Sequence, residues 1–193
     1  MTLPDFVPPM LAKIGREPFS SDEHLFEIKW DGTRALAFVE GGDYRLLNRK
    51  QRPAKERYPE LGALAGLPDG TVLDGEICVL DEGKPVFSGM LRREQASGER
   101  RVRELARELP ATYVVFDLLY RDGEPIVDRP LTERRDALRE VLAQCDDPRI
   151  LFSEGIVGDG LTFFEEAVKP LILTRLYIKS CLVFSLNFLF PHT

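Results

Sequence analysis

Asp-Gly and Gly-Gly pairs punctuate this chain at short intervals: Asp31-Gly32, Gly41-Gly42, Asp69-Gly70, Asp74-Gly75 and Asp122-Gly123. Each lies between or within short runs rich in alternating, β-branched or aromatic residues. Asp and Gly tolerate the positive φ that two-residue turns need. Turns this tight join antiparallel strands, whereas parallel strands require crossovers of a dozen residues or more. The chain therefore reads as α+β, with antiparallel sheets flanked by helices, and not as a doubly wound parallel sheet. An extended, Pro-rich arm (residues 1–23) precedes a hairpin over residues 25–39 that turns at Asp31-Gly32. A strand over 44–48, a short helix over 59–68 and a strand–turn–strand over 71–80, turning at Asp74-Gly75, come next. Helical segments over 88–109, interrupted at Ser97-Gly98, lead to a buried strand over 112–120. Leu131, Leu138, Val141 and Leu142 have helical spacing after Pro130, a short strand covers 150–153, and a last amphipathic helix spans 161–169.

At 193 residues, 44% hydrophobic and 30% charged, the composition is that of a globular domain with a sizeable core. A net charge of −6 gives no global argument for nucleic-acid binding, so any such role rests on local basic patches. Cys78, Cys145 and Cys181 are isolated in sequence, which argues against a zinc site or a disulfide framework. Residues 1–10 contain Asp5 and three prolines and do not read as a signal peptide, so a cytoplasmic location is the default expectation.

Chemistry concentrates in Phe26-Glu27-Ile28-Lys29-Trp30-Asp31-Gly32-Thr33-Arg34. Alternation places Glu27 and Lys29 on one face of a strand and Phe26, Ile28 and Trp30 on the other. A hairpin would bring Arg34 back beside Lys29, and two neighbouring cations suit an anionic ligand such as a phosphate chain. Most lysines beside turns are merely solvated, and Lys-x-Asp-Gly arises by chance in a chain this long at a level of roughly a few per cent. The most basic stretch follows, with Arg45, Arg49, Lys50, Arg52, Lys55 and Arg57 opposed by Glu56. Such loops are more often solvated than functional, although phosphate contact can dominate affinity whatever the net charge. Glu76 opens an apolar run as a solvent-facing residue or as an acceptor in a pocket. Asp117 stands inside another apolar run, where an unpaired carboxylate is costly. The run Arg100-Arg101-Val102-Arg103 is balanced by Glu99, Glu104 and Glu108, as on a salt-bridged helix face.

Glu27-Ile28-Lys29-Trp30-Asp31-Gly32-Thr33-Arg34 resembles the nucleotidyltransferase signature of ATP-dependent DNA ligases. Three stretches support the resemblance in order. Asn48-Arg49-Lys50 stands where the family has a Ser-Arg-x-Gly-like motif, without its Ser and Gly. Asp74-Gly75-Glu76-Ile77 looks like the third motif, and Tyr113–Tyr120 like the aromatic motif after it. The wording is closest to small bacterial repair ligases and covers about Leu3 to Lys169. The resemblance implies ATP and Mg²⁺ as cofactors and nicked double-stranded DNA as partner, with no membrane involvement. It makes Lys29 the nucleophile that accepts AMP. It implies that Glu27 or the neighbouring backbone at Ile28 reads the adenine amino group, that Arg34 and Arg49 contact sugar or phosphate, and that Phe116 stacks on adenine. Glu76 would bind the ribose hydroxyls or stand near the metal, and Arg49, Lys50 and Arg52 would contact DNA.

The chain departs from the family after Lys169. The family then has a strand of the form Glu-Gly-hydrophobic-x-x-Lys, whose Glu binds metal, a strand with phosphate-neutralising lysines, and an OB-fold domain. Residues 170–193 contain no Glu, Asp, Gly or Ala. The expected organisation is thus a partial adenylation domain over 1–169 and an aberrant tail over 170–193, with the OB-fold absent and the fold incomplete at its C-terminus. The apolar stretch over 180–190 is too short to span a membrane and would pair with an open sheet edge or aggregate. Severely impaired ligase activity is the expectation for such a chain. The alternatives are a non-catalytic nucleotide- or DNA-binding remnant, and an RNA ligase or capping-type guanylyltransferase sharing the Lys-x-Asp-Gly logic.

Overall fold

A computed structural model of the protein describes residues 2–8, 12–14, 18–168, 176–180 and 187–189. The chain runs through β1 (Ala12–Ile14), β2 (Ser21–Ile28), β3 (Thr33–Glu40) and β4 (Asp43–Asn48). Two 3₁₀ helices, Lys55–Arg57 and Pro59–Gly66, lead to β5 (Thr71–Asp81) and the two-residue β6 (Lys84–Pro85). Helices α1 (Phe87–Glu94) and α2 (Glu99–Glu108) precede β7 (Ala111–Arg121) and β8 (Glu124–Pro125). Then come α3 (Leu131–Leu142), β9 (Ile150–Phe152), β10 (Gly155–Gly158), α4 (Gly160–Val168), β11 (Leu176–Ser180) and β12 (Asn187–Leu189).

Two sheets result. The larger has the order β4-β3-β5-β7-β8, with β6 on β5 and β9 on β7; the smaller has the order β1-β12-β11-β2-β10. Every pairing is antiparallel except β1 with β12 and β7 with β9. The α+β expectation matches this mixture of helices and antiparallel sheets. No helix among the described residues is long and apolar enough to cross a membrane.

Period-2 alternation divides the larger sheet's residues between two covers. Ala35, Ala37 and Val39 of β3, with Leu73, Ile77 and Val79 of β5 and Tyr113 and Val115 of β7, pack with Leu61, Leu64, Met90, Leu138 and Val141 from the helical segments. Leu36 and Phe38, with Val72 and Leu119, instead meet Leu3 and Val7 of the N-terminal arm. Each large side chain removed from water contributes roughly 1.5–3 kcal/mol, so this double-sided burial dominates the fold's stability. The smaller sheet has a narrower described core, in which Phe26 packs with Phe19, Ile156 and Phe163.

Buried charge is paired. Asp117 accepts from Arg134 Nε and Nη2, both at 2.9 Å, and from the Leu118 N–H at 2.9 Å. Arg93 pairs with Glu60 at 2.7 Å and donates to the Arg57 carbonyl at 2.6 Å. On α2, Arg100 and Arg101 pair with Glu104, and Arg103 with Glu99, as the charge pattern predicts.

Three local expectations are corrected. Asp31-Gly32 is not a hairpin turn: β2 belongs to the smaller sheet and β3 to the larger, so the segment crosses between sheets. Gly32 is needed for close approach, since a Cβ there would lie 2.8 Å from Cys78 Sγ and closer still to the Ile77 carbonyl oxygen. Asp74-Gly75 is not a turn either: β5 runs through it, with a register shift against β7 at that point. A Cβ on Gly75 would lie 2.7 Å from the Tyr113 ring, whose hydroxyl crosses to donate to the Ala35 and Leu73 carbonyls at 2.9 and 3.2 Å. The segment expected to be helical over 59–68 is 3₁₀, with a kink at Leu61.

The tail supplies strands. Leu176–Ser180 pairs antiparallel with β2, placing Tyr177 opposite Glu27 and Lys179 opposite Leu25 in register, and Asn187–Leu189 pairs with β11 and β1. The boundary expected at residues 169–170 and most of the apolar stretch over 180–190 lie outside the described residues.

Candidate active site at the seam between the sheets

β2 ends at Ile28, and the next four residues carry the chain across the seam. Lys29 lies there with its side chain 15% exposed, ion-paired with Asp31. Trp30 Nε1 donates to Ser153 Oγ at 3.1 Å, and the Gly32 N–H donates to Glu76 Oε1 at 3.2 Å. The crossing is thus fixed on one side by the loop before β10 and on the other by β5.

The facing wall comes from three neighbouring strands of the larger sheet. Arg34 on β3 lies opposite Glu76 on β5 in register. Its guanidinium donates to Asp74 from Nε (2.9 Å) and Nη2 (2.5 Å) and stands 5.4 Å from the centroid of the Phe116 ring on β7. Burial pushes the Glu76 carboxyl up to about 7, against the opposing pull of Lys29 and then Arg34. Its proton equilibrium therefore sits near neutrality between two cations. A carboxylate perturbed by burial and by neighbouring charges is a pattern common to reactive sites.

The seam brings Lys29, Arg34, Glu76 and Phe116 together. Glu27 and Ile28 lie directly before Lys29, but the Glu27 carboxylate is buried and ion-paired with Arg135. Arg49 leaves β4 just after the Asn48–Ala35 pair, so it emerges alongside Arg34 at the sheet's end. Asn48 organises the loop behind it, with Oδ1 accepting from the Lys50 N–H at 2.9 Å and the Arg52 N–H at 3.1 Å. Arg49, Lys50 and Arg52 are all exposed. The rest of the basic stretch bonds other groups of the protein. Arg45 bonds the Pro4 and Asp5 carbonyls and stacks on Phe38, Lys55 pairs with Asp43, and Arg57 donates to the Glu94 carbonyl.

Sequence reasoning passed over Asp74 as a partner for Arg34, Ser153 as a partner for Trp30, and Arg135 altogether. A signal for Arg135 existed. Leu131, Arg134, Arg135, Leu138 and Leu142 follow the spacing of an apolar helix stripe. Arginines in such a stripe demand buried carboxylates, and the chain answers with Asp117 and Glu27.

Known proteins match this arrangement. The model of the ATP dependent DNA ligase domain matches residues 9–174. The SPbeta prophage-derived DNA ligase-like protein LigB of Bacillus subtilis is 35% identical over 163 residues, which is 84% of this chain and 56% of that protein. DNA ligase C of Mycobacterium tuberculosis is 39% identical over 144 residues, 72% of this chain and 39% of that protein. The chain thus spans about half or less of the length of these curated relatives. A solved structure of mycobacterial DNA ligase D complexed with ATP and MES superposes with a TM-score of 0.80 at 29% identity, covering 97% of this chain and 61% of that one. A Lig E DNA ligase structure shares the fold at 15% identity, with a TM-score of 0.68, 97% of this chain and 69% of that one being covered. With a family model covering most of its length, and Lys-Trp-Asp-Gly crossing between two antiparallel sheets, this chain belongs to the ATP dependent DNA ligase domain family.

Proposed function

We propose that the seam binds ATP and transfers AMP to Lys29, the first step of DNA nick joining. The observation that carries this reading is the placement of Lys29 and Arg34 beside the buried Glu76 carboxyl, with the Arg34 guanidinium over the Phe116 ring. Nζ attacks the α-phosphorus, forming a P–N bond as the bond to pyrophosphate breaks and the lysine releases its proton. AMP then passes to the 5′-phosphate of a nick, and the 3′-hydroxyl displaces it. In this reading Arg34 meets sugar or phosphate, the Phe116 ring stacks on adenine, and Glu27 with the backbone at Ile28 sets the edge of the base site.

Mg²⁺ fits this site as an ion that arrives with the triphosphate. Among the described residues no three His, Cys, Asp or Glu side chains form a ready-made cage. Mg²⁺ needs only one or two carboxylates when phosphates and water complete its shell. Glu76 would hold it, and the ion would neutralise charge developing on the phosphates.

The rate is expected to be low. The Glu-Gly-hydrophobic-x-x-Lys strand that the resemblance calls for is not found in residues 170–193; the strand beside β2 is Leu-Tyr-Ile-Lys-Ser. Loss of one electrostatic stabiliser commonly costs about 10²–10³ in rate. The test is incubation with ATP labelled at the α-phosphate, with Mg²⁺, followed by a denaturing gel. Slow, acid-labile labelling of the chain that disappears in Lys29→Ala is expected. Labelling that persists in Lys29→Ala would overturn the assignment of the nucleophile. Equal labelling by GTP would point to guanylyltransferase chemistry instead.

A further inference from the structure

Helix α3 buries two consecutive arginines and sends them to different places. Arg134 stays within the larger sheet and its connections, bonding Asp117 and the Val127 and Arg129 carbonyls. Arg135 spans the seam. Its Nη1 donates to Glu27 Oε1 on β2 and, at 3.2 Å, to the Phe116 carbonyl on β7. Its Nη2 donates to the Ser153 carbonyl at 2.6 Å, and the guanidinium lies 4.5 Å from the Phe152 ring centroid.

Each attachment point adjoins the proposed nucleotide site. Glu27 is two residues before Lys29. Phe116 carries the ring beside Arg34. Ser153 holds the Trp30 indole through its hydroxyl. A buried ion pair contributes little net stability compared with an apolar replacement. A planar guanidinium, however, can join three acceptors at fixed angles, which an ammonium cannot. We propose that Arg135 is a positioning residue for nucleotide binding: it sets the spacing between the strand end bearing Lys29 and the Phe116 ring, and hence the width of the base site. This rests on the ATP reading of the seam.

The test uses the full chain and four variants. ATP and GTP affinities, each with Mg²⁺, are measured by equilibrium dialysis. Thermal midpoints are followed by circular dichroism. Trp30, the single tryptophan of the chain, reports seam geometry by its fluorescence. Losing a well-oriented, charge-assisted contact costs on the order of 10–10²-fold in an equilibrium constant. Arg135→Lys is therefore expected to weaken ATP binding by roughly that factor, to erode preference for ATP over GTP, and to shift Trp30 emission. Arg134→Lys is the internal control, expected to lower the thermal midpoint while ATP affinity stays within about threefold. Should Arg135→Lys fail to fold, the double variant Arg135→Gln/Glu27→Gln removes both charges together and should fold, with ATP binding weaker than in Glu27→Gln alone. Wild-type ATP affinity and selectivity in the folded Arg135 variant, or equal losses in the Arg134 and Arg135 variants, overturns the proposal. Failure of the unmodified chain to bind either nucleotide overturns the ATP reading and the positioning role with it.

Discussion

Arg134 on helix α3 and Arg34 at the seam make the same two-pronged contact with an aspartate, in different settings. The Arg134–Asp117 pair is sealed, with side chains 3% and 4% exposed. Arg34 is 17% exposed over an Asp74 that is 2% exposed, and nearby Lys29 pairs with a half-exposed Asp31. In the sealed pair, protein groups supply the compensation for lost hydration. At the seam, partly exposed cations stand beside a carboxylate whose proton equilibrium lies near neutrality. The interior pair is closed to solvent, whereas the pairs at the seam stay partly open to it.

The largest expected effect separates these roles. Arg134→Met strips Asp117 of its partner within the core, and breaking one side of a buried pair costs about 3–5 kcal/mol. Urea midpoints should fall accordingly and recover mostly in Arg134→Met/Asp117→Leu, where no charge is stranded. ATP affinity of the folded double variant should match that of the unmodified chain. A loss of ATP affinity there would erase the contrast, since it would make the interior pair part of the site.

A smaller effect, of opposite sign, is expected at Glu76. Its folded carboxyl titrates higher than it would unfolded, so the folded state takes up the proton first as pH falls. Its contribution to stability therefore declines as pH rises from the ordinary carboxylate range through about 7. Glu76→Gln removes that decline while leaving a carbonyl oxygen to accept from the Gly32 N–H. The variant should gain at most about 3 kcal/mol at pH 8 and close to nothing at pH 4. Urea unfolding at the two pH values measures the difference. A variant less stable than the unmodified chain at pH 8 would mean that Lys29 and Arg34 outweigh the cost of burial, making the seam a stabilising element like the interior.

The sequence made the fold class legible through its turns, and it named Lys29, Arg34, Glu76 and Phe116, which the structure gathers at the seam. It misread how they meet. Asp31-Gly32 has the composition of a hairpin turn, yet local composition cannot distinguish a glycine needed for positive φ from one needed because Ile77 and Cys78 press against it. Asp74-Gly75 failed similarly, because the Tyr113 ring that excludes a Cβ there lies 38 residues further along the chain. Arg135 was legible only as a charge in an apolar stripe. Its partners Glu27, Phe116 and Ser153 come from three separate segments, and their convergence is a product of tertiary packing. The basic stretch shows the reverse: six cations look equivalent in sequence, and the structure divides them into Arg45, Lys55 and Arg57, which bond other groups of the protein, and Arg49, Lys50 and Arg52, which are exposed.

That division carries the smallest expected effect on stability. Replacing Arg49, Lys50 and Arg52 together by alanine removes exposed cations while Asn48 keeps the backbone of the loop, because its bonds go to main-chain N–H groups. Stability should change by no more than about 0.5 kcal/mol per site. Binding to a nicked duplex, followed by gel shift across a salt series, should weaken. The slope of log affinity against log salt should fall by about 0.9 for each DNA phosphate that the variant no longer neutralises. Substituting Arg45, Lys55 and Arg57 should do the opposite, lowering stability with little change in that slope. If both triple variants reduce the slope equally, the exposed trio is no more a DNA-binding surface than the internally bonded one. The electrostatic footprint would then be spread over the stretch and not localised at the turn beside Arg34.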